Sequence, residues 1–295
     1  MPARLPVVAA FLAIYIIWGS TYLAIGIAVA TVPPFLAAGL RFVIAGAVLL
    51  LWSILKRTPM PSKLEWRNLT VSAALLFVPA YGGLFWAEKV VPSGIASVMV
   101  ASIPIWMTLM ETFVLKQTRL HWSLAISITL GLSGVALLAL RGRVSGAAGL
   151  LPYVVLFFSQ ISWCIGTLFS KNMRMPSSKP LTAGAQMAMG GLMLLTIAIA
   201  AGELHPIPVI SLQAWMAILY LASAGSVVAF TAYLWLLGRM PATVVASYAY
   251  VNPVVALVLG WWLGHEVIDA RVVTGAALVL CSVVIILRKR RVKPG

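Results

Sequence analysis

Three aromatic residues near the start of the chain, Tyr15, Trp18 and Tyr22, recur at spacings of three and four, which puts them on one face of a helix. At an offset of 145 residues the same positions become Gln160, Trp163 and Thr167, so both stripes centre on a matched tryptophan. Later, Tyr248 and Asn252 stand one helical turn apart with Ser247 and Tyr250 alongside. Ser93, Ser97 and Ser102 punctuate an earlier apolar run; Tyr81 follows Pro79, and Phe230 and Tyr233 hold corresponding depths further on. Rings and hydroxyls of this kind stack on a flat solute, bury its apolar part and fix its polar ends, which is the chemistry of binding.

Catalytic and metal patterns are missing. His121, His205 and His265 form no ligand pair, and the chain has no H-E-x-x-H and no phosphate-binding loop. An enzyme is therefore not expected, and neither a cofactor nor a metal. Cys164 and Cys281 both sit within apolar runs, so no disulfide is expected.

The elements that position these residues follow from composition. Of 295 residues 62% are hydrophobic and 9% charged, against about 45 to 50% and 25% in soluble domains. The sequence is that of an all-α integral membrane protein. Crossing hydrocarbon takes roughly 20 apolar residues, and ten such runs are legible: Val7 to Val29, Phe35 to Leu55, Leu69 to Trp86, Gly94 to Leu115, Trp122 to Leu140, Leu150 to Ser170, Leu181 to Ala201, Trp215 to Leu237, Ala242 to Leu263 and Val272 to Leu287. The first is too long for the h-region of a signal peptide, about 7 to 15 residues. Trp52, Trp66, Trp122, Trp215, Trp261 and Trp262 fall at membrane edges and are read as an interfacial belt. Trp18, Trp163, Tyr248 and Tyr250 lie nearer mid-span, where packing and cavity lining both remain open.

The net charge of +15 is distributed by loop. With the N-terminus inside, 16 of the 21 basic residues fall on cytoplasmic segments and 4 on outer ones, which places both termini in the cytoplasm. The terminal Arg288 to Arg291 run is an orientation anchor against an anionic leaflet, not a nucleic-acid patch.

One stretch occurs twice. Pro92 to Pro104 reads PSGIASVMVASIP and Pro241 to Pro253 reads PATVVASYAYVNP. Trp18 and Trp163, and Gly46 and Gly191, share an offset of 145; Trp86 and Trp235, with both proline pairs, share 149. A five-helix unit repeated once enters the membrane from opposite sides, so the expectation is ten helices as two inverted repeats, residues 7–141 and 150–287. The inner prolines, Pro104 and Pro253, are expected to kink their helices and act as hinges.

The segments FWAEKVVPSGIASVMVASIPIW and YLWLLGRMPATVVASYAYVNPVVALVLGWWLGHEVIDARVVTGAALVL resemble the EamA-type repeat of the drug/metabolite transporter superfamily. The resemblance runs from about Ala10 to Leu287. It implies a ten-helix exporter of small metabolites in the bacterial inner membrane, with a cavity lined by helices one, three, four, six, eight and nine. The family's glutamate after the fourth helix of a repeat matches Glu266; the first half has Gln117 there, which puts any role needing both carboxylates in question.

Arg41 is read as pairing with Glu111 or snorkelling toward the cytoplasm, and the repeat offset gives Gln186 in its place. Glu111 is read as accepting a hydrogen bond, and Asn252 either satisfies the carbonyl freed by Pro253 or contacts ligand. The expected substrate-binding set is Tyr15, Trp18, Tyr22, Tyr81, Ser97, Trp163, Thr167, Tyr233, Tyr248, Tyr250 and Asn252. The expected function is export of aromatic and other neutral amino acids by alternating access, as a monomer in the lipid bilayer. An organic-anion exchanger calls for fixed cations in the cavity, and a passive channel for a polar ring or carbonyl filter; the runs offer neither beyond Arg41.

Overall fold

Pro34 opens a helix at a position where its missing N–H costs nothing, and the helix runs unbroken from Pro34 to Leu55. The same logic of starts and stops cuts the whole chain into apolar rods. The structure, a computed structural model, describes residues 4–114, 116, 122–144, 149–237, 239, 245 and 248–290. The rods are α1 (Leu5–Val29), α2 (Pro34–Leu55), α3 (Lys63–Ala87), α4 (Ser93–Val114), α5 (Trp122–Val144), α6 (Leu151–Asn172), α7 (Lys179–Ala200), α8 (212–237), α9 (Tyr248–Trp262) and α10 (Ala270–Arg290). Among the described residues seven helices are long and apolar enough to cross a membrane, and three shorter apolar stretches, Ala125–Leu138, Val251–Trp262 and Ala270–Ile285, lie in α5, α9 and α10.

Two of the sequence readings change here. α3 begins at Lys63 rather than Leu69, because Ser62 and Glu65 close a reciprocal capping box: the Ser62 N–H donates to Glu65 Oε2 at 2.7 Å and the Glu65 N–H to Ser62 Oγ at 3.4 Å. At Pro104 the run is interrupted rather than only bent. α4 breaks at Ala101 and Ser102, and Pro104 sits in the first turn of the segment that restarts at Ile103. Pro253, by contrast, lies inside α9.

The rods pack across the two halves of the chain. α1 lies against α8 and α9, α6 against α3 and α4, α2 against α7, α4 against α9 and α5 against α10. The α2–α7 crossing brings backbones together. A Cβ on Gly46 would strike the Ala188 backbone, and one on Gly191 would come within 2.7 Å of the Val43 nitrogen. In lipid, where apolar burial between helices has little driving force, such close approach is what holds helices together.

Four rods widen locally into π-helical turns among the described residues, α1 at Ala13–Ile17, α3 at Leu76–Gly82, α4 at Met110–Val114 and α8 at Leu221–Val228. Those of α3 and α8 hold positions related by the 145-residue offset read from the tryptophans. Pro79 accounts for the first, since it cannot donate to the helix ladder. In the second, Ser226 Oγ donates to Leu221 O at 3.0 Å. Each is stitched to a helix of the opposite half: Ser159 of α6 donates to Pro79 O at 2.8 Å, and Trp18 Nε1 of α1 donates to Gly225 O at 3.0 Å.

Candidate functional site

The π turns displace side chains that would otherwise spiral away, and aromatic groups collect beside them. Trp18 meets Tyr233 of α8 at a ring-centroid distance of 5.3 Å and Tyr248 of α9 at 5.0 Å, and those two tyrosines lie 6.0 Å apart. Across the bundle Trp163 of α6 meets Tyr81 of α3 edge-on at 5.4 Å. Tyr81 continues into Phe42 at 4.6 Å and Phe77 at 5.7 Å. Tyr22, one helical turn from Trp18, has Tyr81, Tyr248, Arg41 and Glu88 as electrostatic neighbours and so joins the two groups.

Of the residues singled out in the sequence, Trp18, Tyr22, Tyr81, Trp163, Tyr233 and Tyr248 are thus brought together. Tyr15 meets Phe11 with tilted rings 5.6 Å apart and packs in the same apolar cluster as Trp18, Tyr233 and Tyr248. Ser97 is buried with its hydroxyl donating to Gly94 O at 2.6 Å, and Thr167 donates to Trp163 O at 2.8 Å, so both are satisfied by their own helices. With its amide turned to suit its surroundings, Asn252 donates to Tyr15 O and Tyr248 O, each at 3.2 Å. It serves Tyr248 O rather than the carbonyl of Ala249 that Pro253 frees, and pins α9 to α1. The side chains of Tyr250 and Glu111, and residues Gln117 and Pro241, lie outside the described residues.

Arg41 does not snorkel. It is 3% exposed, its Nε donates to Ser226 Oγ at 3.2 Å, and its guanidinium carbon lies 4.7 Å from the Phe42 ring centre and 5.3 Å from that of Tyr81. Such a stack on aromatic faces holds the planar guanidinium in place.

Sequence reasoning missed Glu88. It caps the C-terminal end of α3 and is 5% exposed, yet neither carboxylate oxygen has a hydrogen-bond partner. An acidic residue closing an apolar run, four places before a helix-opening Pro92, was the available signal. Two other glutamates act as caps over long range. Glu266 accepts from the Ser93 N–H and hydroxyl, both at 2.6 Å, and from the Gly94 N–H at 3.0 Å. Glu203 accepts from the Leu36 N–H at 2.8 Å and the Phe35 N–H at 3.3 Å. Both neutralise the positive start of an apolar helix. Among the described residues no group of His, Cys, Asp and Glu could hold a metal.

An all-helical bundle of apolar spans, with polar and aromatic side chains gathered in its interior from both halves, defines a membrane transporter. The chain belongs to the EamA-like transporter family, whose model matches residues 5–140 and again 150–288. It is similar to the uncharacterized inner membrane transporter YedA of Escherichia coli strain K12, 35% identical over 90% of this chain and 85% of that one. It is also similar to a probable amino-acid metabolite efflux pump of the same strain, 23% identical over 93% of this chain and 92% of that one. A crystal structure superposes with a TM-score of 0.63 at 21% identity, covering 99% of this chain and all of the other, and so shares the fold.

Proposed function

We propose that this transporter exports small neutral metabolites, chiefly aromatic and other neutral amino acids, from the bacterial inner membrane. Its substrate passes by alternating access through a central cavity between two inverted five-helix repeats, residues 7–141 and 150–287, with both termini cytoplasmic. The observation that carries the reading is the crossed arrangement of the aromatics: Trp18 of the first half seats on Tyr233 and Tyr248 of the second, and Trp163 of the second seats on Tyr81 of the first. A two-fold axis in the membrane plane, with a substrate on it, produces that pattern. Rings from both halves then sandwich a flat side chain, and rocking one half against the other exposes them to either face in turn.

The name of the related amino-acid metabolite efflux pump supports the same substrate class. Tyr22, Tyr81, Trp163, Tyr233, Tyr248 and Tyr250 are the proposed contacts, with Trp18, Thr167, Ser97, Tyr15 and Asn252 shaping them. Pro104 and Pro253 are the proposed hinges, and the working unit is a monomer. An organic-anion exchanger is less well supported, because a phosphorylated solute calls for several fixed cations and Arg41 is the one buried cation among the described residues.

Uptake of labelled phenylalanine, threonine and a sugar phosphate into proteoliposomes tests the reading. Phenylalanine is expected to enter fastest; transport of the sugar phosphate alone would overturn it.

A further inference from the structure

Arg41 and Glu88 are both more than nine-tenths buried, and both are left incomplete. Arg41 Nη1 has no hydrogen-bond partner, nor has either oxygen of Glu88. A buried unpaired charge is among the most costly features a fold can carry. The two are opposite in sign and each is an electrostatic neighbour of the other and of Tyr22, yet no ion pair joins them.

Each is also held from reaching the other. The guanidinium is fixed from behind, by Ser226 on Nε and by the rings of Phe42, Tyr81 and Phe85, the last at 5.9 Å. Of its nitrogens Nη1 is enclosed without an acceptor. Glu88 is fixed by the backbone as the C-cap of α3, where carbonyl dipoles already concentrate negative charge. Glu266 adds a second negative charge nearby and spends its own oxygens on Ser93 and Gly94. Glu88 therefore lacks a cation, and Arg41 Nη1 lacks an acceptor.

We propose that Arg41 and Glu88 are the two ends of a zwitterion site: Arg41 Nη1 donates to the α-carboxylate of an amino-acid substrate, and Glu88 accepts from its α-ammonium. The substrate completes the two groups whose hydrogen bonds the protein does not itself supply, and its side chain falls among the rings of Tyr22, Tyr81 and Tyr248. The inference rests on the amino-acid reading above and adds to it the part of the solute that is read. The aromatic residues recognise the side chain; this pair recognises what all amino acids share.

The test is binding to the purified full-length protein of four probes: phenylalanine, phenethylamine, which lacks the carboxylate, 3-phenylpropionate, which lacks the ammonium, and threonine. Phenylalanine is expected to bind at least about tenfold more tightly than either analogue, the loss of one charge-assisted contact. Glu88→Gln should abolish that preference over 3-phenylpropionate while keeping the preference over phenethylamine, and Arg41→Lys should do the reverse. The wild-type comparison needs no variant to fold. Equal affinity for all three aromatic probes, or both variants binding phenylalanine within twofold of wild type, would overturn the site. Threonine binding with the same dependence on Glu88 and Arg41, without phenylalanine, would uphold the site and overturn the aromatic preference; a wild-type protein that binds no probe overturns both.

Discussion

The two halves of the chain use the same positions for different ends. Trp18 and Trp163 are matched, but Trp18 donates its indole N–H to Gly225 O and so closes the π turn of α8. Among the described residues the indole N–H of Trp163 has no acceptor, and the π turn it faces in α3 is closed instead by Ser159, one helical turn away. The first tryptophan is tied into the fold, and the second is the one proposed above to contact substrate. The prolines divide in the same way: Pro104 starts a helical segment, where its missing N–H is free of cost, while Pro253 sits within α9, where one backbone bond is lost. The matched positions thus differ in what they bond to.

The largest effect tests the part that is symmetric. Gly46→Leu and Gly191→Leu each push a side chain into the backbone of the facing helix. Either should cost about 3 kcal/mol or more and abolish a monodisperse peak on size exclusion; a large loss for only one would mean the α2–α7 crossing is not shared equally. Next come the prolines. Pro253→Ala restores an interior helix bond and should stiffen α9 by up to about 3 kcal/mol, whereas Pro104→Ala should shift stability by under about 1 kcal/mol. Cysteine labelling from the two membrane faces should change for Pro253→Ala far more than for Pro104→Ala, and equal shifts would erase the distinction drawn between the two helices. The tryptophans follow: Trp18→Phe should lower thermal stability by about 1 kcal/mol, the worth of one buried hydrogen bond. Trp163→Phe should leave stability within about 0.5 kcal/mol and raise the apparent KM for phenylalanine, a split that reverses if Trp163 is the structural member.

Much of this was legible in the sequence because it repeats at short period. The three-and-four spacing of Tyr15, Trp18 and Tyr22 gave a face, and the offset linking Trp18 to Trp163 also relates the π turns of α3 and α8. Ser62 and Ser211, 149 residues apart, are matched N-caps of those same helices, and the Ser62-x-x-Glu65 signature that starts α3 six residues before the apolar run was there to be read and was missed. The belt tryptophans are exposed, Trp122 to 82% and Trp262 to 64%. What stayed hidden was every contact made over long range. Nothing near Glu266 announces that it caps a helix beginning at Ser93, and nothing near Arg41 names Ser226. Glu88 was hidden for the opposite reason: it looks like an edge residue, and only packing shows that it is enclosed without a partner.

The smallest expected effect concerns the two long-range caps, which both run from loops of the second half to helix starts of the first. Their positions in the first half hold Thr58 and Gln117, neither of which can supply a charge. The tie is therefore one-sided, and it should carry a pH signature through Glu203, which stands between α7 and α8. Partial burial raises the Glu203 carboxyl above its ordinary range, against the opposing pull of the Leu36 and Phe35 N–H groups and of Lys89. A carboxyl raised in the folded state stabilises fully below its unfolded value of about 4.3. That contribution is lost as pH rises through the folded value. Because the group is partly exposed, solvent screening keeps the effect small. Thermal unfolding in detergent should show a shallow decline as pH rises above about 4.3, and Glu203→Gln, which keeps an acceptor oxygen but cannot ionise, should flatten it. A slope that survives in Glu203→Gln would assign it to another group and remove the one-sided tie from the comparison of the halves.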